Sequence, residues 1–341
     1  MSPPTRPRIR SAPEDFVVDE LPLYPPCGEG EHTFVHVEKR LRSTEEVARE
    51  LARIAGASPR DVGYAGRKDR VAVARQWFSV PGLDPARVRD ADLRAARVLA
   101  ATPHRHKLRT GQLRGNRFEL VVREVSARAA ELARARARTL GRVGMPNRYG
   151  TQRYGRHGDN AERGAALLRG EGARTRDRRE ERFLVSSLQS LLFDRVLAER
   201  PLPLDVVEAG DVAVVHLSGG LFDVEDGERE CPRARAFEIS ATGPIFGTRM
   251  RRPAGAPARR EADAARELGL PAFDALRAPR GIRMRGARRA LRVRPVGLAL
   301  EASDADATLR LRFELPAGSY ATVLIEELFG EVAEGPAAAV S

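Results

Sequence analysis

The sequence has few of the side chains on which metal and redox chemistry usually depend. Only two of its 341 residues are cysteines, and Cys27 and Cys231 lie too far apart in sequence for a CxxC redox pair or a thiolate zinc site. None of its six histidines forms an i, i+4 pair on a predicted helix, and the motifs GxGxxG, GxxxxGK(S/T) and HExxH are absent. We therefore expect neither nucleotide-driven nor zinc-dependent chemistry.

Long apolar runs are also missing. No uncharged apolar run approaches the roughly 18 residues of a membrane span. Residues 1–10 are rich in Pro and Arg and lack the apolar core of a secretory signal. Hydrophobic residues still make up 42% of the chain, which excludes a wholly disordered or collagen-like protein. We expect a cytoplasmic globular protein that is large enough for two domains.

Lysine is the scarcest charged residue. Of the 59 basic residues only three are lysines, at Lys39, Lys68 and Lys107, which indicates a codon bias toward Arg. A lysine kept in such a background can mark a position that needs a compact ammonium rather than a guanidinium fork. Chance is the simpler explanation for any single one of them.

The net charge of +12 is unevenly distributed along the chain. Residues 101–123 contain six basic residues and one acidic residue, and residues 248–295 contain fourteen Arg and four acidic residues. Residues 205–238 are the reverse, with nine acidic residues and three Arg. The two basic tracts are typical of a surface that contacts a polyanion through its phosphates, or of a solvated Arg-rich face. Composition alone does not separate these alternatives.

Hydrophobic periodicity predicts a mixture of strands and helices. Ser43 and Glu46 form a capping box before a helix that ends at Gly56. Further helices are predicted at 127–140 and 183–200, and a last helix that Ser319 caps is predicted to end at Phe329. Strands are predicted at 32–37, 71–80, 116–125 and 309–315. Because the strands and helices do not alternate regularly, we expect an α+β protein rather than a doubly wound sheet.

The strongest chemical candidate is Asp69, which lies in the Gly-flanked segment Gly66-Arg67-Lys68-Asp69-Arg70. A carboxylate held in a loop between cations stays ionised at neutral pH, so it can act as a nucleophile or a base without a histidine. The residues alone also fit an ordinary solvent-exposed turn, which is the more common occurrence of such a triplet.

Five blocks of the sequence resemble the TruD family of tRNA pseudouridine synthases, in the family's order. The blocks are 13–18 (PEDFVV), 63–77 (GYAGRKDRVAVARQW), 107–118 (from KLR to GNRF), 146–155 (PNRYGTQRYG) and 315–322 (LPAGSYAT). They extend over most of the chain, so a chance match is improbable.

The resemblance implies isomerisation of uridine 13 in the D-arm region of tRNA to pseudouridine, with no cofactor and no metal. Asp69 corresponds to the family's essential carboxylate, which adds to C1′ or C6 of the nucleotide or takes part in proton abstraction from the sugar. The sequence leaves these mechanisms open. Because a stacked uridine is out of reach, the base has to be flipped into a pocket.

The resemblance also implies which residues bind the substrate. Phe118 is expected to stack on the uracil, Asn116 to hydrogen-bond it, and Phe16 and Tyr320 to wall the pocket. Each aromatic residue also fits an ordinary core position. The full set of expected substrate-binding residues is Phe16, Asn116, Phe118, Tyr320, Arg10 and Lys68, and that of RNA-binding residues is Lys107, Arg109 and Arg153.

Two positions depart from the family's pattern. The family commonly has Lys where this sequence has Arg10. The change to Arg reflects either the codon bias or a guanidinium that pairs with the Asp69 carboxylate. The family often has Thr where Ala74 stands, so a local hydrogen bond is in doubt although no catalytic group is lost.

The implied architecture is V-shaped. Residues 1–143 and 291–341 would form the catalytic domain, with a mixed β-sheet flanked by helices, and residues 144–290 an inserted α/β TRUD domain. The implied partner is tRNA, lying between the lobes against the two basic tracts, and we expect a monomer. Asp69, Asn116 and Tyr320 should then meet in space.

Two other function classes fit parts of the sequence. A non-catalytic RNA-binding or RNA-folding protein would keep the basic tracts and Phe118 but would not need Asp69. A carboxylate-dependent ribosyl transferase or glycosidase would need a second carboxylate about 5 to 10 Å from the first. Glu14 and Glu20 are candidates for that role, although the sequence does not place them there.

Overall fold

The computed structural model describes residues 6–155, 157–171, 177–272, 275, 277, 279, 281–303 and 307–335. Its strands are β1 (Arg8–Ile9), β2 (Phe16–Pro22), β3 (His32–Arg40), β4 (Gly63–Tyr64), β5 (Val73–Pro81), β6 (Ala96–His104), β7 (Leu113–Val122), β8 (Met145–Pro146), β9 (Val212–Val215), β10 (Leu221–Asp223), β11 (Ile239–Ile245), β12 (Ala287–Ala290), β13 (Arg292–Val293), β14 (Val296–Ser303), β15 (Thr308–Pro316) and β16 (Ala333–Glu334). Its α-helices are α1 (Thr44–Ala55), α2 (Pro85–Arg89), α3 (Ala127–Val143), α4 (Asn160–Arg169), α5 (Arg178–Ala198), α6 (Gly227–Arg235), α7 (Gly255–Glu267) and α8 (Ala321–Phe329). Within these residues, no helix has both the length and the apolar character of a membrane span.

The chain divides into two compact units. The first consists of Met1–Arg138, Pro295–Ala321 and Ile325–Ser341, and the second of Thr139–Arg294 and Thr322–Leu324. Both ends of the sequence therefore contribute to the first unit.

A mixed β-sheet forms the frame of the first unit. Its strands follow the order β14-β15-β7-β2-β5-β3-β6, and β4 pairs with β5 outside this path. The neighbours β2 and β5 are parallel, whereas the other neighbouring strands are antiparallel. This sheet with its helices confirms the predicted α+β class.

Helix α1 begins and ends where its capping residues predict. The Ser43 side chain accepts from the backbone N–H of Glu46 at 3.2 Å, and the Glu46 carboxylate accepts from the N–H of Ser43 at 2.6 Å. Gly56 closes the helix at φ +69°, a conformation that glycine adopts without strain. The apolar face, with Val47 and Leu51, packs into the core of the first unit. These caps fix Thr44 as the first helical residue, a position that matters for the site.

The second unit packs helices against an antiparallel sheet of order β10-β9-β11-β12. Its core includes Leu188 and Leu192 of α5 together with Phe246. Several arginines of the basic tract 248–295 also lie inside this unit. Arg292 is fully buried and donates to the carbonyl of Val143 at 2.7 Å.

Two further contacts of the basic tract stay within the second unit. Arg288 pairs with buried Glu261 at 2.7 Å, and Arg289 donates to the carbonyl of Asn147 at 2.9 Å. Part of this tract is therefore structural, and Arg280 of the tract lies outside the described residues.

Two predicted helix starts differ from the structure. Helix α5 begins at Arg178 rather than at residue 183, because Asp177 caps it through its side chain, which accepts from the N–H of Arg179 at 2.8 Å. Helix α8 begins at Ala321 with Tyr320 as its N-cap residue, so the prediction that Ser319 caps it is wrong.

Candidate active site

Asp69 lies in the loop between β4 and β5, and neighbouring elements hold this loop in place. The backbone N–H of Lys68 donates to the Thr44 hydroxyl at 3.0 Å, and this hydroxyl donates to buried Gln76 at 2.8 Å. The Gln76 amide in turn donates to the carbonyl of Gly66 at 3.4 Å. The first residue of α1 and the middle of β5 thus fix the backbone on the N-terminal side of Asp69.

Two cations hold Asp69 itself. Its carboxylate accepts a hydrogen bond from Arg10 at 2.9 Å, and its backbone carbonyl accepts one from the ammonium of Lys39 at 2.8 Å. The Asp69 side chain is nevertheless 41% exposed. The carboxylate is therefore oriented by a cation and still accessible to a ligand.

The Arg10 guanidinium joins two carboxylates. One nitrogen contacts Asp69, and another contacts Glu334 of β16 at 2.8 Å. The guanidinium also lies 4.5 Å from the centre of the Phe16 ring, and Arg10 adopts a left-handed backbone conformation with φ +57°. Arg10 therefore contacts Asp69 through one nitrogen rather than as a two-pronged fork.

A second polar cluster involves Lys68, Glu20 and Asn116. The Lys68 ammonium lies 2.7 Å from the Glu20 carboxylate and donates to Asn116 Oδ1 at 2.8 Å. Glu20 also accepts from the backbone N–H of Trp77 at 3.3 Å and is almost fully buried. Since Glu20 and Asn116 are direct cross-strand partners on β2 and β7, the sheet register places them side by side.

Phe118, which is predicted to stack on the uracil, and Phe16, which is predicted to wall the pocket, lie on the same face of the sheet among apolar neighbours. Phe118 stacks on Phe313 with ring centres 5.1 Å apart, and Phe16 meets Phe118 edge to face at 6.2 Å. Both Phe16 and Phe118 are buried. The structure thus brings the two rings together next to Arg10, within the core of the sheet face.

Tyr320 follows the end of β15, which pairs with β7. Pro316 is the partner of Gly115, and Leu315 is the partner of Asn116. The turn that leads to Tyr320 therefore starts at the end of the sheet where Asn116 lies.

The three predicted RNA-contacting residues are divided between the two units. Lys107 and Arg109 are in the β6–β7 loop of the first unit, where the Lys107 ammonium donates to the carbonyl of Arg60 at 2.7 Å. Arg153 belongs to the second unit and donates to Ser186 and Ser190 of α5, the latter at 3.2 Å. Much of the hydrogen-bonding capacity of Arg153 is used inside its own unit.

From the sequence, Lys39 stands out only as one of three lysines and Glu20 only as a possible second carboxylate, and neither is assigned to this site. Glu20 lies on the buried face of β2 together with Phe16 and Val18. Lys39 lies on the buried face of β3 together with Val37. A charged residue at an inward position of a strand was the available signal, because burying an ion requires partners.

Burial lowers the pKa of the Lys39 ammonium to about 8, and the negative charge of Asp69 opposes this shift. The ammonium donates to the carbonyls of Arg42 at 2.6 Å and of Asp69 at 2.8 Å. In the part of the chain that the structure describes, no group of three His, Cys, Asp or Glu side chains could hold a metal ion.

Comparisons with known proteins point to one family. The chain matches the family described as tRNA pseudouridine synthase D (TruD) over residues 1–178 and 172–328. It is 40% identical to tRNA pseudouridine synthase D of Geobacter sulfurreducens over 390 residues, covering 96% of this chain and 95% of that protein. It is 44% identical to the protein of the same name from Thermus thermophilus over 324 residues, covering 94% and 88%.

A solved structure has the same fold. The crystal structure of a putative tRNA pseudouridine synthase D from Methanosarcina mazei matches with a TM-score of 0.74 and 20% sequence identity, covering 96% of this chain and 94% of that one.

Proposed function

Because this chain belongs to the TruD family of tRNA pseudouridine synthases, we propose that it converts uridine 13 in the D-arm region of tRNA to pseudouridine, with Asp69 as the catalytic carboxylate. The reaction is an isomerisation. The N1–C1′ bond breaks, the held base turns, C5 bonds to C1′, the C5 hydrogen leaves as a proton and N1 gains one. Because these steps balance without a redox change, we propose that the enzyme acts without a metal or cofactor, as a cytoplasmic monomer with tRNA as its partner.

The arrangement around Asp69 carries this proposal. The side chain is 41% exposed, and its Oδ2 lies 2.9 Å from the Arg10 guanidinium. A carboxylate that is oriented and accessible can add to C1′ or C6 of a flipped nucleotide, or accept a proton from its sugar. Fixing its backbone through Lys39 and Thr44 limits the entropy lost on reaching the reactive geometry.

Lys68 and Glu20 support the proposed role of Asn116. Lys68 donates to Asn116 Oδ1 at 2.8 Å, so the amide NH2 group remains the donor that can face a uracil carbonyl. The Glu20 carboxylate, at 2.7 Å, balances the charge of Lys68. In this proposal Lys68 and Glu20 hold Asn116, while Phe16, Phe118 and Tyr320 form the apolar walls of the uridine pocket.

The same contacts weigh against a two-carboxylate hydrolase, in which the second carboxyl group donates a proton. Glu20 is engaged by the Lys68 ammonium. A hydrogen bond from Arg40 lowers the pKa of Glu14, which favours its ionised form. Neither residue suits a neutral carboxylic acid poised to donate.

The position of the product in tRNA tests the proposed substrate. Purified protein is incubated with an in vitro transcribed tRNA, and pseudouridine is mapped by carbodiimide modification followed by primer extension. We expect a single new signal at nucleotide 13, and none when the transcript carries cytidine there. Signals only at other uridines would contradict the proposed site specificity, and no signal with a tRNA that binds would favour a non-catalytic RNA-binding protein.

A further inference from the structure

A cavity lies in the first unit, away from Asp69. It has a volume of about 740 Å³, and its walls include Tyr24, His32, His104, Lys107 and Arg109. This volume is typical of ligand sites of nucleotide size.

Seven residues of β3 separate this cavity from the contact with Asp69. His32 at the start of β3 pairs with His104 of β6, and both line the cavity. Lys39 lies seven residues further along β3, and its ammonium contacts the backbone carbonyl of Asp69 at 2.8 Å. At about 3.3 Å per residue, the cavity lies roughly 23 Å from Asp69 along the strand. One nucleotide cannot fill both sites, whereas one RNA molecule can.

Close backbone packing builds the cavity's main wall, the β6–β7 loop. A Cβ atom at Gly30 would lie 2.5 Å from the Cα of Arg105, and one at Gly63 would lie 2.2 Å from the carbonyl oxygen of Leu108. The N–H of Leu108 donates to the Ser79 hydroxyl at 2.8 Å. The loop is therefore held in place before any ligand binds, which reduces the entropic cost of binding.

The walls combine aromatic surface, cations and neutral hydrogen-bonding groups. The rings of Tyr24 and His104 are stacked 5.4 Å apart at 15°. Burial and the charge of Lys107 lower the pKa of His32, and burial with the charge of His106 lowers the pKa of His104. Buried His32 Nδ1 has no hydrogen-bond partner among the described residues.

We propose that this cavity is a second RNA-binding site, which holds one unpaired nucleotide of the substrate tRNA with its base against the Tyr24–His104 pair and its phosphate near Lys107 and Arg109. The aromatic pair offers a stacking surface, and the cations neutralise a phosphodiester. This inference rests on the proposed function, because it takes tRNA as the substrate. It assigns to the cavity an anchoring role rather than a chemical one.

Binding of fluorescently labelled tRNA tests the site, measured by anisotropy over a range of salt concentrations in the full-length Asp69→Asn protein. We expect Tyr24→Leu to raise Kd about 5- to 100-fold without changing the salt dependence, because it removes a stacking surface. Tyr24→Phe keeps the ring and should retain affinity.

Removing a cation should change the salt dependence of tRNA binding, unlike removing the stacking ring. Arg109→Ala should weaken binding and reduce the slope of log K against log salt by about 0.7 to 0.9, because one phosphate contact is lost. The matched control is Arg87→Ala, another exposed arginine of the first unit, on α2, which should leave both quantities unchanged. Melting curves confirm that each variant is folded.

Three results would overturn the inference. One is unchanged tRNA affinity in folded Tyr24→Leu and Arg109→Ala proteins. Another is an equal loss of affinity in Tyr24→Phe and Tyr24→Leu, which would assign the effect to the Tyr24 hydroxyl, a donor to Gln112, rather than to stacking. The third is tight binding of free AMP or UMP with tRNA affinity unchanged in the variants, which would assign the cavity to a free nucleotide.

The assay separates this inference from the proposed function. Weaker tRNA binding by Tyr24→Leu supports the second site even if the wild-type protein forms no pseudouridine. In the active enzyme, the same substitution should raise KM and leave kcat nearly unchanged, since the cavity lies far from Asp69.

Discussion

Two buried charges connect the sheet to Asp69 and Asn116. Lys39 holds the Asp69 backbone, and Glu20 pairs with Lys68 at 2.7 Å. Removing one partner from such a buried group leaves the other unpaired, which costs several kcal/mol. The sequence already contains Glu20 and Lys39 at inward strand positions. Their partners come from segments distant in sequence, so the contacts could not be predicted from the pattern.

Lys39 should give the reaction a pH dependence. Burial lowers its pKa to about 8, so we expect kcat to fall as the pH rises through about 8 and the ammonium loses its charge beside Asp69. Lys39→Met should lower kcat about tenfold or more and remove this alkaline limb. Single-turnover pH profiles of both proteins check this, and a limb near pH 8 that persists in Lys39→Met would contradict it.

As Lys39 loses its proton, the free energy of unfolding should rise while kcat falls. The folded pKa of Lys39 is below the usual value of about 10.4. Between about pH 8 and 10.4 the unfolded chain therefore binds more protons at this group. The contribution of Lys39 to the free energy of unfolding thus rises with pH in this window, while activity falls.

At the scale of elements, α1 shows how a local signal reaches the site. The Ser43–Glu46 capping box is a pattern within four residues, so the sequence predicts the helix start correctly. Thr44, the next residue, then lies between Lys68 and Gln76. The start of α5 was harder to predict, because Asp177 caps a first turn rich in charged residues where the apolar period is weak.

Two matched substitutions distinguish the role of the Ser43 helix cap from that of the Thr44 contact with the Lys68 backbone. Ser43→Ala should lower the free energy of unfolding by about 1 kcal/mol and leave kcat unchanged, because only the cap is lost. Thr44→Val keeps the shape of the side chain but removes the acceptor for the Lys68 N–H, so kcat should fall about 10- to 100-fold. Urea denaturation and single-turnover rates measure the two effects. Equal loss of kcat in both variants would show that the Thr44 contact has no specific role.

At the scale of the whole molecule, composition fits both a polyanion-binding surface and a solvated Arg-rich face, and it identifies no contacts. The net charge is +12, yet Arg288, Arg289 and Arg292 in the basic tract bind groups within the second unit. Charge counting cannot distinguish an arginine that contacts phosphate from one that holds a buried carbonyl or carboxylate. The sequence could predict the α+β class, because the strands and helices have clear periods. It could not predict the Glu20–Lys68 pair or the cavity lined by Tyr24 and His104, because these depend on strand register and loop packing.

Release of tritium from tRNA labelled at uracil C5 tests the central claim most directly, because joining C5 to C1′ expels the C5 hydrogen. Wild type and Asp69→Asn are compared in single-turnover reactions, at protein concentrations that anisotropy shows to saturate the tRNA in both cases. We predict tritium release by wild type and a rate on the order of 10³-fold or more slower for Asp69→Asn, with tRNA affinity retained. Comparable rates for the two proteins would contradict the assignment of Asp69 as the catalytic carboxylate.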